Sequence, residues 1–272
     1  MTSVLFDRRT DRGTITSENP ADIWPDWKGP AETWLFLAAH DDDIVTGAGL
    51  TFLSALHKGV NVYAGVISNG RMGYCTPEQR ETIVRVRRDE TLESFQYLGL
   101  PEGHLYQFDY DDGSLALESG RRFAVNPDDT RAICGAVGIQ NTLTWLIRKV
   151  RPTRIFVMNR LDLHPDHRIV NTELSISIFH AQGDIWPELG PPVPHLPLLY
   201  EYPTYSDFVS PPAIRVRVSG DLAEKRLQAI AFFKSQLQIE LLVEGVRQAG
   251  GNEYLHEMIF DILPPGKYDS LF

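Results

Sequence analysis

The sequence predicts an α/β fold in three layers, and three observations carry that prediction. Apolar runs of strand length alternate along the chain with segments of helical length and helix-cap chemistry. Two of the runs, Trp34-Leu35-Phe36-Leu37-Ala38 and Ile155-Phe156-Val157-Met158, are apolar throughout, as parallel strands buried on both faces are. Each gives way to a polar cluster: Ala39-His40-Asp41-Asp42-Asp43 directly after the first, His164-Pro165-Asp166-His167 shortly after the second. Open α/β sheets bind ligands at the carboxyl ends of their strands, so both clusters are expected on one rim.

Residues 1–32 read as an N-terminal arm with little regular structure, broken by Pro20, Pro25 and Pro30 and pinned to the body by Trp24 and Trp27. Residues 33–272 read as a single domain. Its first strand is expected over 33–39, followed by a helix over 46–58 with Gly59 as C-cap. A strand over 60–68 leads into the rim loop Asn69-Gly70-Arg71-Met72-Gly73. Thr76, Pro77 and Gln79 have the spacing of a capping box, opening a helix that runs to Leu98 and stops at Gly99. A strand over 104–108 precedes the turn Tyr110-Asp111-Asp112-Gly113. Then come a helix over 139–150, a strand over 154–158 and a helix over 166–180. A loop rich in Pro and Gly occupies 182–197, and strands over 198–202 and 214–218 precede a helix over 221–238 with Asp221 in its cap. Strands and helices in this alternation form right-handed βαβ units. The result is a Rossmann-like sandwich: a mostly parallel sheet, helices on both faces, and later strands that mix its direction.

Composition narrows the function. Of 272 residues, 43% are hydrophobic and 23% charged, which suits a folded domain with a large core. A net charge of -10 without a Lys/Arg run argues against nucleic acid as a partner. No apolar stretch is long enough to span a bilayer, and residues 1–19 carry no apolar signal segment. Cys75 and Cys134 form neither a CxxC pair nor a disulfide framework. A cytoplasmic protein with reduced thiols is the expectation, and a homo-oligomer stays open.

The clusters themselves allow two readings. Asp41, Asp42 and Asp43 can cap and neutralise a helix N-terminus, or they can face a cation, since crowded carboxylates are costly without one. His164 and His167 are three apart and share a face if the turn is helical, with Asp166 between them able to orient an imidazole. Two such clusters on one rim point to a metal site.

These residues resemble the PIG-L/LmbE-like zinc-dependent N-deacetylases, which remove acetyl groups from substrates of the N-acetylglucosamine type. That family carries AHPDDE after its first strand and HPDH after a later one; here AHDDDI and HPDH stand in those places. The segments RRDETLESFQYLGL, YDDGSL and EKRLQAIAFFKSQ are similar to further family segments, in matching order over about residues 33–240. The resemblance implies His40, Asp43 and His167 as ligands of Zn2+, or of another divalent cation such as Fe2+. It implies Asp42 as general base, His164 as electrophile or acid, and Asp166 as the partner that orients it. Arg87 and Asp112 would lie near the substrate; the alternative for Arg87 is a helix-surface ion pair with Glu90 or Asp89.

The implied reaction is hydrolysis of the acetamide of an N-acetylated sugar or sugar conjugate, giving acetate and a free amine, with the oxyanion stabilised by the metal and by protonated His164. The alternatives are a zinc amidase acting on a non-sugar amide and a catalytically silent relative that binds metal or ligand. Two departures stand out: Asp41 replaces the family's Pro and Ile44 its Glu. Asp41 could tighten metal binding, raise the pKa of Asp42, or cap the helix, and capping is the favoured reading. Cys75 is expected to be a small buried thiol rather than a nucleophile. Tyr202, Tyr205 and Phe208 could form a sugar-binding wall or simply pack.

Overall fold

A computed structural model describes residues 3–260 and 266–271. The chain runs β1 (Ser3–Thr10), β2 (Gly13–Ser17), β3 (Thr33–Ala38), α1 (Asp43–Gly47), α2 (Gly49–His57), β4 (Asn61–Ser68), α3 (Ile83–Leu98), β5 (Leu105–Tyr110), β6 (Arg122–Phe123), β7 (Ala136–Val137), α4 (Ile139–Val150), β8 (Arg154–Met158), α5 (Pro165–Gln182), β9 (Leu198–Tyr202), β10 (Ile214–Ser219), α6 (Asp221–Ile230), α7 (Ile239–Ala249) and β11 (Asn252–Met258).

Nine strands form one sheet in the order β2-β1-β10-β11-β9-β8-β3-β4-β5, and β6 with β7 forms a separate ribbon. The block β9-β8-β3-β4-β5 is parallel, whereas β11, β10, β1 and β2 add to it antiparallel. From β3 the chain crosses through α2 to β4 and through α3 to β5, moving one way along the sheet. From β8 it crosses through α5 to β9, moving the other way. Right-handed crossovers in opposite directions place their helices on opposite faces, which yields the expected three-layer α/β sandwich. The direction reverses between β3 and β8, so the crevice outside their carboxyl ends is the ligand position of the fold. The core around these strands is aromatic: Phe36 stacks on Phe156 at 4.4 Å and Trp34 lies 4.9 Å from Phe156.

Four expectations need correction. Residues 3–17 of the N-terminal arm are not irregular but form β1 and β2, with β1 paired along β10 from Ser3↔Ser219 to Arg8↔Ile214. Only Val4 and Phe6 alternate into the core there, a pattern too short to stand out. Trp24 does pin the arm, lying 5.0–5.2 Å from Trp34 and Tyr200.

The helix expected over 46–58 is instead two helices, divided at Ala48. Arg226 donates to the carbonyls of Val45 and Thr46 at the end of α1, and Glu253 accepts from the N–H groups of Leu50 and Thr51 at the start of α2. Gly47 is required because a Cβ there would lie 2.6 Å from the Tyr202 ring. The helix expected from Thr76 begins as a 3-10 turn over Pro77–Glu81 and becomes α-helical only at Ile83. The helix expected over 221–238 ends at Ile230, and α7 and β11 follow it. Glu90 takes both the N–H and the hydroxyl of Ser235, at 2.7 Å each, which draws the chain out of helical geometry.

Candidate metal centre and active site

The loops after β3, β4, β5, β8 and β9 converge at the switch point. His40 follows the end of β3 and Asp42 is the N-cap residue of α1, so Asp43 is the first helical residue. The His40 N–H donates to Asp43 Oδ2 at 2.8 Å, which turns that carboxylate back towards the strand end. After β8, His164 is the N-cap of α5, placing Asp166 and the buried His167 in its first turn.

Ligand-type atoms of three residues meet there, the two oxygens of Asp43 each facing one imidazole. His40 Nδ1 lies 3.0 Å from His167 Nε2, and Asp43 reaches within 3.5 Å of the first and 3.1 Å of the second. Tetrahedral zinc with bonds of about 2.0–2.1 Å separates its ligand atoms by about 3.4 Å, so the spacing fits one cation. The outward nitrogens have carboxylate neighbours, as metal-bound imidazoles usually do. His167 Nδ1 is 3.2 Å from Asp162, and His40 Nε2 is 3.1 Å from Asp112 and 3.6 Å from Asp166. His40, His164 and His167 also offer three nitrogens within 4.8 Å of one another. In that alternative set, however, His164 Nδ1 is already engaged as the helix cap.

The electrostatics are those of a site built for positive charge. Burial opposes protonation of His40, but Asp43, Asp112 and Asp166 outweigh it and raise its pKa well above the usual imidazole range. His167 is likewise raised, Asp43 outweighing burial. Burial would raise the Asp43 carboxyl, yet His167 and His40 hold it below the usual carboxylate range. His164 goes the other way: burial, then His40 and His167, lower its pKa.

The remaining expected residues have definite places. Asp42 is half-buried, and its Oδ2 accepts from the Gln236 side-chain amide at 2.7 Å. Asp166 orients His164 through its backbone, because its N–H donates to His164 Nδ1 at 3.2 Å. Its carboxylate instead accepts from the N–H groups of Gly113 and Leu115, tying the Asp-Gly turn to α5. A His164 Nδ1 that accepts cannot also carry a proton, so the ring is neutral with its hydrogen on Nε2. The protonated His164 that the family resemblance implies would have to give up this bond. Asp112 accepts from the Met72 N–H at 3.1 Å with its other oxygen.

Arg87 and Asp41 differ most from expectation. Arg87 is 6% exposed and makes no surface pair with Glu90 or Asp89. Its Nη1 lies 3.1 and 3.3 Å from the two oxygens of Asp41, and its Nη2 donates to the Gly73 carbonyl. Asp41, also 6% exposed, therefore anchors Arg87 and does not cap the helix. Burial and the neighbouring Asp42 push the Asp41 carboxyl up to about 7 against the pull of Arg87.

Tyr205 stacks on His167 at 5.5 Å, whereas Tyr202 is fully buried and donates to the Leu37 carbonyl. Phe208 stacks on His256. Cys75 is exposed, not buried. Asp162, Ser235 and Gln236 were missed by sequence reasoning as site residues. The carboxylate five positions before His167 and the Ser-Gln end of the late helix segment were the available signals.

Comparison with known proteins bears on the family and the fold. Residues 35–176 match the family model PIG-L: GlcNAc-PI de-N-acetylase. No curated protein sequence matches significantly. Among solved structures, N,N'-diacetylchitobiose deacetylase from Pyrococcus horikoshii superposes with a TM-score of 0.66 at 22% identity, covering 92% of this chain and 91% of that one. A conserved protein from Thermus thermophilus gives 0.63 at 21% identity, covering 85% and 97%. GalB, a 4-carboxy-2-hydroxymuconate hydratase from Pseudomonas putida, gives 0.59 at 17%, covering 86% and 98%. Identities this low establish a shared fold.

Proposed function

The chain belongs to the PIG-L family, and from that premise we propose that it is a metal-dependent N-deacetylase acting on an N-acetylated sugar or sugar conjugate. The observation that carries the reading is the meeting of His40 Nδ1, His167 Nε2 and the Asp43 carboxylate within 3.5 Å, with Asp42 beside them and outside that triangle. These three residues would hold a zinc ion, or another divalent cation such as Fe2+. Bound there, the cation supplies Lewis acidity, which acidifies water and polarises an amide carbonyl.

The protein's own groups do the rest. Asp42 takes the proton of the attacking water. The Gln236 amide fixes one of its oxygens and leaves the other for that task. His164, neutral and fixed by the Asp166 N–H, presents Nε2–H to the oxygen on which charge develops. The leaving nitrogen needs a proton before the C–N bond breaks, and Asp42, which has just gained one, can return it. Asp112 holds His40 from behind, and Tyr205 covers one face of His167.

A second reading, an amidase for a non-sugar substrate, draws on the Asp41–Arg87 pair. Arg87, which the family resemblance places near the substrate, is committed to a protein carboxylate. The fold also hosts more than one chemistry, as a hydratase neighbour illustrates. Acetate release from a panel of N-acetylated sugars and conjugates, set against simple non-sugar acetamides, tests the proposal. Sugar-dependent release that falls by roughly 10²–10⁴-fold in Asp42→Asn supports it. Turnover confined to non-sugar amides would favour the second reading, and no turnover by metal-loaded protein would contradict both.

A further inference from the structure

A second constellation lies on the antiparallel side of the sheet. His256 on β11 is the direct cross-strand partner of Glu201 on β9. Its Nδ1 lies 3.0 Å from Glu201 Oε2, and its Nε2 lies 2.8 Å from Ser210 Oγ in the loop between β9 and β10. Glu201 is fully buried, and its other oxygen accepts from the Arg160 N–H and the Asn171 amide at 3.1 Å each. The carboxylate is thereby fixed and can only accept, so Nδ1 carries the imidazole hydrogen. Nε2 is left with its lone pair towards Ser210, whose hydroxyl is the donor. Phe208, stacked on the imidazole at 5.7 Å, holds the ring plane. None of these side chains bonds to the histidine–aspartate cluster at the switch point.

A hydroxyl nucleophile within hydrogen-bond reach of a base that a buried carboxylate orients is the signature of acyl transfer. We propose that Ser210, His256 and Glu201 form a second, metal-independent site that hydrolyses small esters. Ser210 Oγ attacks the ester carbonyl while His256 Nε2 takes its proton, and the imidazolium returns that proton to the departing alcohol. Water, deprotonated by the same imidazole, then releases the carboxylic acid and restores the serine. Ser210 is exposed and its own backbone N–H is unbonded among the described residues, so one donor for the oxyanion is available on the nucleophile itself. Pro211 and Pro212 offer none, which sets the expected turnover low.

A fluorophosphonate tests this without any assumption about the metal site. Oγ would bond to phosphorus, fluoride would leave, and the hydroxyl proton would pass to His256. Peptide mapping of the full chain should find the adduct on Ser210, formed at least ~10²-fold more slowly in His256→Gln. p-Nitrophenyl acetate hydrolysis measured beside it, with a chelator present to silence the metal site, should retain only background in the surface variant Ser210→Ala. An unlabelled Ser210 in the parent, equal labelling in a folded His256→Gln, or ester hydrolysis unchanged in Ser210→Ala would overturn the proposal. The three groups would then be a clamp holding the loop to the sheet.

Discussion

At the scale of single residues, Asp41 carries the main departure from the family pattern. A helix cap would be worth about 1 kcal/mol, whereas removing one partner of a buried ion pair costs ~3–5 kcal/mol by leaving a charge without its counterion. Asp41→Ala should therefore lower stability by the larger amount in chemical denaturation. The double variant Asp41→Leu/Arg87→Met should recover most of it, since apolar replacement of a whole buried pair is often neutral or better. A loss near 1 kcal/mol without recovery would return Asp41 to the capping role. The sequence made both residues conspicuous but not their pairing, because they stand 46 positions apart and meet only when α3 packs over the loop after β3. The convergence of His40, Asp43 and His167 on one rim was easier to read, because His40 and Asp43 closely follow the end of β3 and His167 lies in the first turn of the helix after β8.

At the scale of elements, the boundaries that sequence patterns misplace are those fixed by remote side chains. The break between α1 and α2 depends on Arg226 and Glu253, more than 170 positions away, and the end of α6 on Glu90. Propensity sees only neighbours and reads through such breaks. The same logic gives α3 its function. Arg87 holds Asp41, and Glu90, one turn on, holds Ser235 beside the Gln236 that bonds Asp42. Glu253 offers the clearest test of an element-level cap. It is buried, bonds two N–H groups and the Thr51 hydroxyl, and lies 3.3 Å from Arg226. Glu253→Ala should cost about 3–5 kcal/mol, read as a shift in denaturant midpoint, while Glu244→Ala on the exposed face of α7 should cost little. Equal effects would mean that the break is set locally.

At the scale of the whole molecule, the reversal of direction between β3 and β8 gathers both clusters, and the field there links metal to protons. His40 and His167 have pKa values raised by surrounding carboxylates, so in the metal-free protein protons compete with a cation for these rings. Metal affinity should fall as pH drops through those raised values and level off above them. Calorimetric titration at neutral pH in two buffers of different ionisation enthalpy should give different heats, the sign of proton release. Identical heats would mean that the imidazoles are already neutral.

The central assignment, Asp43 as ligand and Asp42 as base, is tested most directly by bound-metal stoichiometry in Asp42→Asn and Asp43→Asn purified side by side. Asp43 lies within 3.5 Å of both histidine nitrogens, whereas Asp42 is bonded to Gln236. Asp42→Asn should keep one metal per chain and Asp43→Asn should lose it. Metal lost from Asp42→Asn and kept by Asp43→Asn would contradict the assignment.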